Sequence, residues 1–205
     1  PLGSRLAAFA CSGGDVAMLA DCGANAGIEF PQPSAPVHAN LSRILPKIAT
    51  VSNPLDYTTP LWGQEYALEE VFTTTLADGY DAALLVQDYP PPSLDEDRPL
   101  YYADARAFIR ATERAGIPGA ICSSVPENMD SEIREFLLAR GVAPLQGVQE
   151  AITAIFGASR CGSKKIEIGD HLDTLGLCPS GYDETHMELQ DEWQSKSLLT
   201  RFNIP

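Results

Sequence analysis

The sequence predicts a doubly wound α/β domain, a parallel sheet carrying helices on both faces, and three observations predict it. Between Arg5 and Ser159, short apolar β-prone runs alternate with stretches of helical spacing. The run Ala82–Val86, AALLV, is unbroken by polar residues, as a strand buried on both faces requires. Glycines stand where successive helical stripes stop, at Gly27, Gly116 and Gly141.

Each element follows from its residues. The first strand is Leu6–Cys11. A helix starts near Gly14 and carries Val16, Leu19, Ala20 and Ala24 on one stripe until Gly27, and its small residues let it pack close to a sheet. A short helix over Val37–Ile44 has Pro36 in its first turn. The stretch TVSNPLDYTT (50–59) is β-prone for two residues and then becomes a proline loop. Gln64–Ala77 reads as helix with Ala67, Leu68, Val71 and Phe72 inward, followed by the strand YDAALLVQDY with Ala82–Val86 as its apolar centre. After the acidic proline loop 90–99 come a helix over Leu100–Ala115, a strand in IPGAICSSV (117–125) and a helix over Ser131–Arg140 with Ile133, Phe136 and Leu137 as its core stripe. VAPLQ is a short edge strand and Gly147–Ala158 a final helix. Five strands with these connections fit a flavodoxin-like order better than a longer dinucleotide-binding sheet.

Pro-Leu-Gly-Ser (1–4) reads as the scar of a cleaved expression tag, so the domain is assigned to 5–159. The abrupt start at Arg5 points to a piece of a longer polypeptide. Residues 160–188 are polar and weakly periodic, a linker or C-terminal arm. Residues 189–205 resume helical spacing through Leu189, Trp193, Leu198 and Leu199, as the beginning of a following domain.

Composition excludes several function classes. With 28 acidic and 14 basic residues the net charge is −14, which repels nucleic acid and anionic membrane surfaces. No apolar run reaches the roughly 18 residues of a membrane span, and no signal peptide is present, so a cytoplasmic protein is expected. The five cysteines, Cys11, Cys22, Cys122, Cys161 and Cys178, form no Cys-x-x-Cys pair; they are read as reduced thiols, with Cys11 and Cys122 buried in strands.

The main candidate site is Ser12-Gly13-Gly14, at the first strand-to-helix turn. In an open parallel sheet ligands sit at the carboxyl ends of strands, where that turn aims backbone N–H groups and a helix dipole outward. Glycine removes the Cβ that blocks close approach, and Ser12 carries a hydroxyl donor. Asp15 opposes this, since a first-turn carboxylate repels a dianion. Anion cradle and plain glycine turn both remain open on these residues. There is no Walker lysine and no Gly-x-Gly-x-x-Gly. Asn53 and Asp56, in NPLD, read by themselves as loop shapers. His38, His171 and His186 have no catalytic partner at informative spacing, and no metal ligands are assigned.

The series RLAAFACSGGDVAMLADCGANAGIEFPQPS, LSRILPKIATVSNPLDYT, YDAALLVQ and GVAPLQGVQEAITAIFG resembles one domain of the NDP-forming acyl-CoA synthetases, relatives of succinyl-CoA synthetase. Its counterparts there are a Ser/Asn-Gly-Gly turn, a small-residue helix ending in AG, an LP segment and the signature Asn-Pro-Val/Leu-Asp. The likeness covers Arg5–Ser159, and SKSLLTRFNIP is similar to the opening of the family's ATP-grasp domain.

The resemblance implies a multidomain, ADP-forming acid–thiol ligase that makes an acyl-CoA from a carboxylic acid, CoA and ATP through an acyl phosphate and a phosphohistidine. The histidine-bearing sequence, Ser-His-Thr-Gly-like, is absent here. By resemblance this domain docks the phosphohistidine loop at a helix N-terminus, with Ser12, Gly13 and Gly14 meeting phosphoryl oxygens and Asn53 and Asp56 lining the neighbouring wall. It implies no catalysis and no bound cofactor for the domain alone. ATP, Mg2+ and CoA belong to the parent, and the partners are its CoA-binding, His-bearing and ATP-grasp domains or subunits, an oligomer being compatible. The competing expectation is a non-enzymatic flavodoxin-like module that binds a small ligand or a protein.

Overall fold

A computed structural model describes residues 3–91 and 96–160 of the chain. Five parallel strands form one sheet in the order β2-β1-β3-β4-β5, the flavodoxin-like order. They are β1 (Leu6–Ala10), β2 (Leu55–Asp56), β3 (Ala82–Val86), β4 (Gly119–Ser123) and β5 (Ala143–Gln146). The connections carry α1 (Gly13–Ala26) and α2 (Ala35–Ile44) before β2, then α3 (Glu65–Leu76), α4 (Arg98–Ala115) and α5 (Ser131–Leu138) before β3, β4 and β5 respectively. A sixth helix, α6, runs from 148 through 160.

Alternation along the buried strands builds two cores. Ala7 and Phe9 of β1, Ala83 and Leu85 of β3 and Ile121 of β4 face α2, α3, α4 and α5, meeting Leu41, Leu68, Phe72, Phe108 and Ile133. Leu6, Ala8 and Ala10, with Leu84, Val86 and Cys122, face Leu19 of α1 and Val148, Ile152 and Ile155 of α6. Phe72 is the hub of the first core. Its ring lies 4.7 Å from Phe9, 5.7 Å from Tyr57 and 5.9 Å from Phe108, in the tilted and edge-on geometries that aromatic quadrupoles favour.

Polar contacts join the helices over this core. Glu65 pairs with Arg106 and Arg110, and Glu69 with Arg110 and Arg114, at 2.6–2.9 Å, which ties α3 to α4. Arg98, 3% exposed, holds Asp130 at 2.9 Å and so joins the start of α4 to the N-cap of α5.

Several sequence expectations are corrected. On α1 the inward stripe is Val16, Leu19 and Gly23, while Ala20 and Ala24 are exposed: the sheet lies at i, i+3, i+7 and small residues gave no signal of their side. β2 forms after Pro54 rather than at Thr50–Val51, because β1 pairs Phe9 with Leu55 and Ala10 with Asp56. Cys122 is buried in β4, but Cys11 lies one residue beyond β1 and is half-buried. The carbonyl of Ser4 accepts a hydrogen bond from the Glu29 N–H at 3.0 Å, next to the bridge between Arg5 and Glu29. The arm and the terminal helix expected at 160–188 and 189–205 lie outside the described residues, apart from Arg160, which continues α6.

Truncating the hub removes three ring contacts and opens a cavity, so Phe72→Ala is expected to lower the unfolding free energy by about 3–5 kcal/mol. Urea denaturation of the two chains checks this; a loss under about 1 kcal/mol would remove Phe72 from its central place.

Candidate functional site at the carboxyl ends of β1, β2 and β3

The chain leaves β1 through Cys11 and enters α1 at Ser12, whose extended backbone (φ −144°, ψ 133°) makes it the N-cap. Its Oγ accepts from the Asp15 N–H at 3.4 Å. The N–H groups of Gly13 and Gly14 belong to the first turn, where no intrahelical acceptor exists, and Ser12, Gly13 and Gly14 are all exposed. Neither glycine is demanded by the fold. Both lack a positive φ, a Cβ at Gly13 would sit 3.7 Å from Asp56 Oδ2, and one at Gly14 3.5 Å from Ser12 Oγ, ordinary contact distances. The fold alone would accept alanine at both positions.

The two NPLD residues differ in what they offer. Asp56 ends β2 beside Gly13 and accepts from the Thr58 N–H at 2.8 Å. The loop it shapes holds Thr58 at φ 68°, a strained conformation for a β-branched residue. Asn53 is 3% exposed, with its side chain wholly engaged by backbone. Oδ1 accepts from Ala8 N–H at 3.0 Å, and Nδ2 donates to the carbonyls of Leu6 and Pro31 at 2.8 and 3.0 Å. Asn53 therefore serves the site by fixing the strand that carries Asp56, with no side-chain donor left for a ligand.

Behind Ser12–Gly14 opens a cavity of about 250 Å³ between the ends of β1 and β3. Cys11 and Asp15 line it from one side and Gln87 and Asp88, directly after β3, from the other; Tyr57, Trp62 and Tyr101 supply aromatic walls. The Trp62 and Tyr101 rings meet edge to face at 5.1 Å. Asp88 also anchors the loop after β4, accepting from Ser124 Oγ, from Val125 N–H at 3.0 Å and from Asn128 Nδ2 at 3.2 Å. Burial, with the negative charges of Asp88 and Asp56 nearby, raises the pKa of Asp15 against a lowering hydrogen bond from Ser12. Burial pushes the Cys11 thiol up to about 11, so it is a neutral thiol at pH 7. Among the described residues no three His, Cys, Asp or Glu side chains are grouped to hold a metal ion, and no helix is long and apolar enough to cross a membrane.

The wall carrying Trp62 is braced from below by Asp104 of α4, which is fully buried. It accepts from Tyr57 OH at 3.0 Å and from Gly63 N–H at 2.8 Å. Burial raises its pKa to about 7, outweighing both hydrogen bonds.

The sequence pointed to the rim but not to the cavity. Gln87-Asp88 carried a signal, since polar residues that directly follow a central strand stand where open sheets bind ligands. Trp62, Tyr101 and Asp104 carried none, because their meeting depends on the packing of the Thr59–Leu61 turn against α4.

No family model matches the chain, and no curated protein matches it. Solved structures do. A Pyrococcus horikoshii OT3 protein, PH0766, aligns over 77% of this chain and 35% of its own, with a TM-score of 0.62 and 18% identity. The dinucleotide forming acetyl-coenzyme A synthetase 1 of Ca. Korarchaeum cryptofilum aligns in its apo form over 80% of this chain and 36% of its own, with a TM-score of 0.58 and 21% identity. The same protein in complex with phosphate and ADP gives 0.58 and 20% over 80% and 35%. The likeness is one of fold. The chain spans about a third of the length of these proteins.

Asp104 makes stability depend on pH with a defined sign. It ionises near 3.8 in the unfolded chain and near 7 in the fold. Between those values the fold keeps a proton the unfolded chain has lost, so this contribution is complete below pH 3.8 and is lost as pH rises through 7. Asp104→Asn keeps an acceptor for Gly63 and a donor for Tyr57 oxygen while removing the titration. The unfolding free energy from urea denaturation is expected to fall between pH 5 and pH 8 by roughly 2–3 kcal/mol more in the parent chain than in Asp104→Asn; parallel profiles would contradict the assignment.

Proposed function

We propose that the chain is the flavodoxin-like domain of an ADP-forming acyl-CoA synthetase, and that its α1 N-terminus docks a phosphohistidine loop. In that reading the parent joins a carboxylic acid to CoA with ATP, through an acyl phosphate and a phosphohistidine, and ATP, Mg2+ and CoA are held by its other domains. The domain alone performs no step. Its contribution is electrostatic: Gly13 and Gly14 N–H groups, the Ser12 hydroxyl and the helix dipole meet the charge on the phosphoryl oxygens.

The observation that carries the reading is the pair of glycines at an exposed helix start that neither backbone conformation nor packing requires. Glycine in a helix costs roughly 0.5–1 kcal/mol relative to alanine, and the space gained at Gly13 and Gly14 faces outward. The order of motifs along the sequence adds support, as does the fold shared with a protein whose own name is acetyl-coenzyme A synthetase. One observation favours the rival, a non-enzymatic ligand-binding module: Asp15, Asp56 and Asp88 surround the mouth, and a dianion must therefore sit at the outer rim of the turn.

The test uses the full-length parent and γ-labelled ATP. An acid-labile, base-stable phosphoenzyme discharged by CoA plus a carboxylic acid is expected, while this chain alone neither hydrolyses ATP nor forms acyl-CoA. Gly14→Ala is expected to stabilise the domain by about 0.5–1 kcal/mol and to slow phosphoryl transfer at least tenfold. Absence of label with every nucleotide and acid, or a Gly14→Ala enzyme of full activity, would defeat the reading.

A further inference from the structure

The charged side chains that line the cavity behind the rim, among the described residues, are of one sign. Gln87 is 6% exposed, and its Nε2 donates to the Tyr101 carbonyl at 2.9 Å. That acceptor fixes the amide orientation, because a carbonyl cannot donate. The Gln87 Oε1 is then left buried with no hydrogen-bond partner. An orphaned buried acceptor costs on the order of 1–3 kcal/mol, and native structures keep few of them without a use. Asp15 and Asp88 line the same cavity. Among the described residues no basic side chain lines the cavity, and its thiol, Cys11, is neutral at pH 7.

A site lined by acceptors asks for a donor-rich occupant, and two carboxylates ask for positive charge. The walls narrow the class further. Trp62 and Tyr101 line the cavity; aromatic rings attract organic cations, and a planar guanidinium both stacks on such rings and spreads five N–H donors in its plane. A metal ion fits less well, as no three ligating side chains among the described residues are grouped for it.

We propose that the cavity between β1 and β3 binds an organic cation through a guanidinium group, seated against Trp62 and Tyr101 with its donors on Gln87 Oε1, Asp15 and Asp88. This site is distinct from the α1 rim and takes the opposite charge. It stands whether or not the parent is a synthetase. The guanidinium comes either from a free small molecule or from an arginine side chain of a neighbouring polypeptide.

The probe is methylguanidinium, titrated into the full chain while the Trp62 indole and Gln87 side-chain amide resonances are followed by NMR. Sodium phosphate and magnesium chloride at matched ionic strength are the controls. Saturable shifts at both groups with methylguanidinium alone are expected, weakened at least tenfold by Asp15→Asn. Asp15 is half-buried in the first turn of α1, and its backbone cap survives that change; Trp62→Phe serves as a second variant and should weaken binding by a smaller factor. N-acetyl-arginine methylamide forms the second arm: tighter binding than methylguanidinium assigns the cation to a polypeptide side chain, weaker binding to a free ligand. No saturable shift at Gln87, equal shifts with magnesium, or an Asp15→Asn chain that binds unchanged would overturn the proposal.

Discussion

The site depends on the place of β1 in the sheet. It pairs with β2 on one side and β3 on the other, so the chain leaves its carboxyl end toward one face and returns from β2 toward the opposite face. α1, which follows β1, covers one core and α4, which follows β3, covers the other, and that divergence opens the ends of the two strands. A helix N-terminus, a strained loop and the first residues after β3 are thereby brought to one opening, as at other switch points of open sheets. Asn53 enforces the pairing: one buried side chain joins Ala8 and Leu6 of β1 to Pro31 and to the peptide that precedes β2. A two-residue strand has few ladder bonds, and this clip supplements them.

Electrostatics then divides the opening in two. The exposed rim offers backbone donors and the positive end of α1, whereas the interior offers acceptors, two carboxylates and aromatic faces. Burial already disfavours the charge on Asp15, so bringing a further anion inward would be unfavourable, and a cation inward favourable. The two surfaces are a few residues apart on the chain and suit ligands of opposite sign. Asp104 lines neither surface; it holds the Tyr57–Gly63 segment that carries the Trp62 wall.

Most of the fold was legible because hydrophobic periodicity records which faces are buried. AALLV marked the centre of β3, which is confined to Ala82–Val86 of the longer run YDAALLVQDY, and the stripe Leu68, Val71 and Phe72 marked the inward face of α3. α1 misled where alanines sit on both sides and carry no amphipathic signal. β2 was missed by position because its pairing is set by β1, which is remote in sequence. The rim Ser12–Gly14 was legible from local chemistry, a serine N-cap and two glycines. The cavity was not, since Trp62 and Tyr101 meet through tertiary packing and Gln87 acquires its meaning only when its amide is seen bound to Tyr101.

The central claim is that the α1 N-terminus receives a phosphoryl group while the acidic interior does not. The most direct measurement is a titration of the chain with inorganic phosphate, following backbone amide resonances at constant ionic strength. Saturable shifts are expected at Gly13 and Gly14, reduced in a Gly14→Ala chain, with the Gln87 side-chain amide unmoved. Shifts absent from Gly13 and Gly14, or concentrated at another helix, would contradict it.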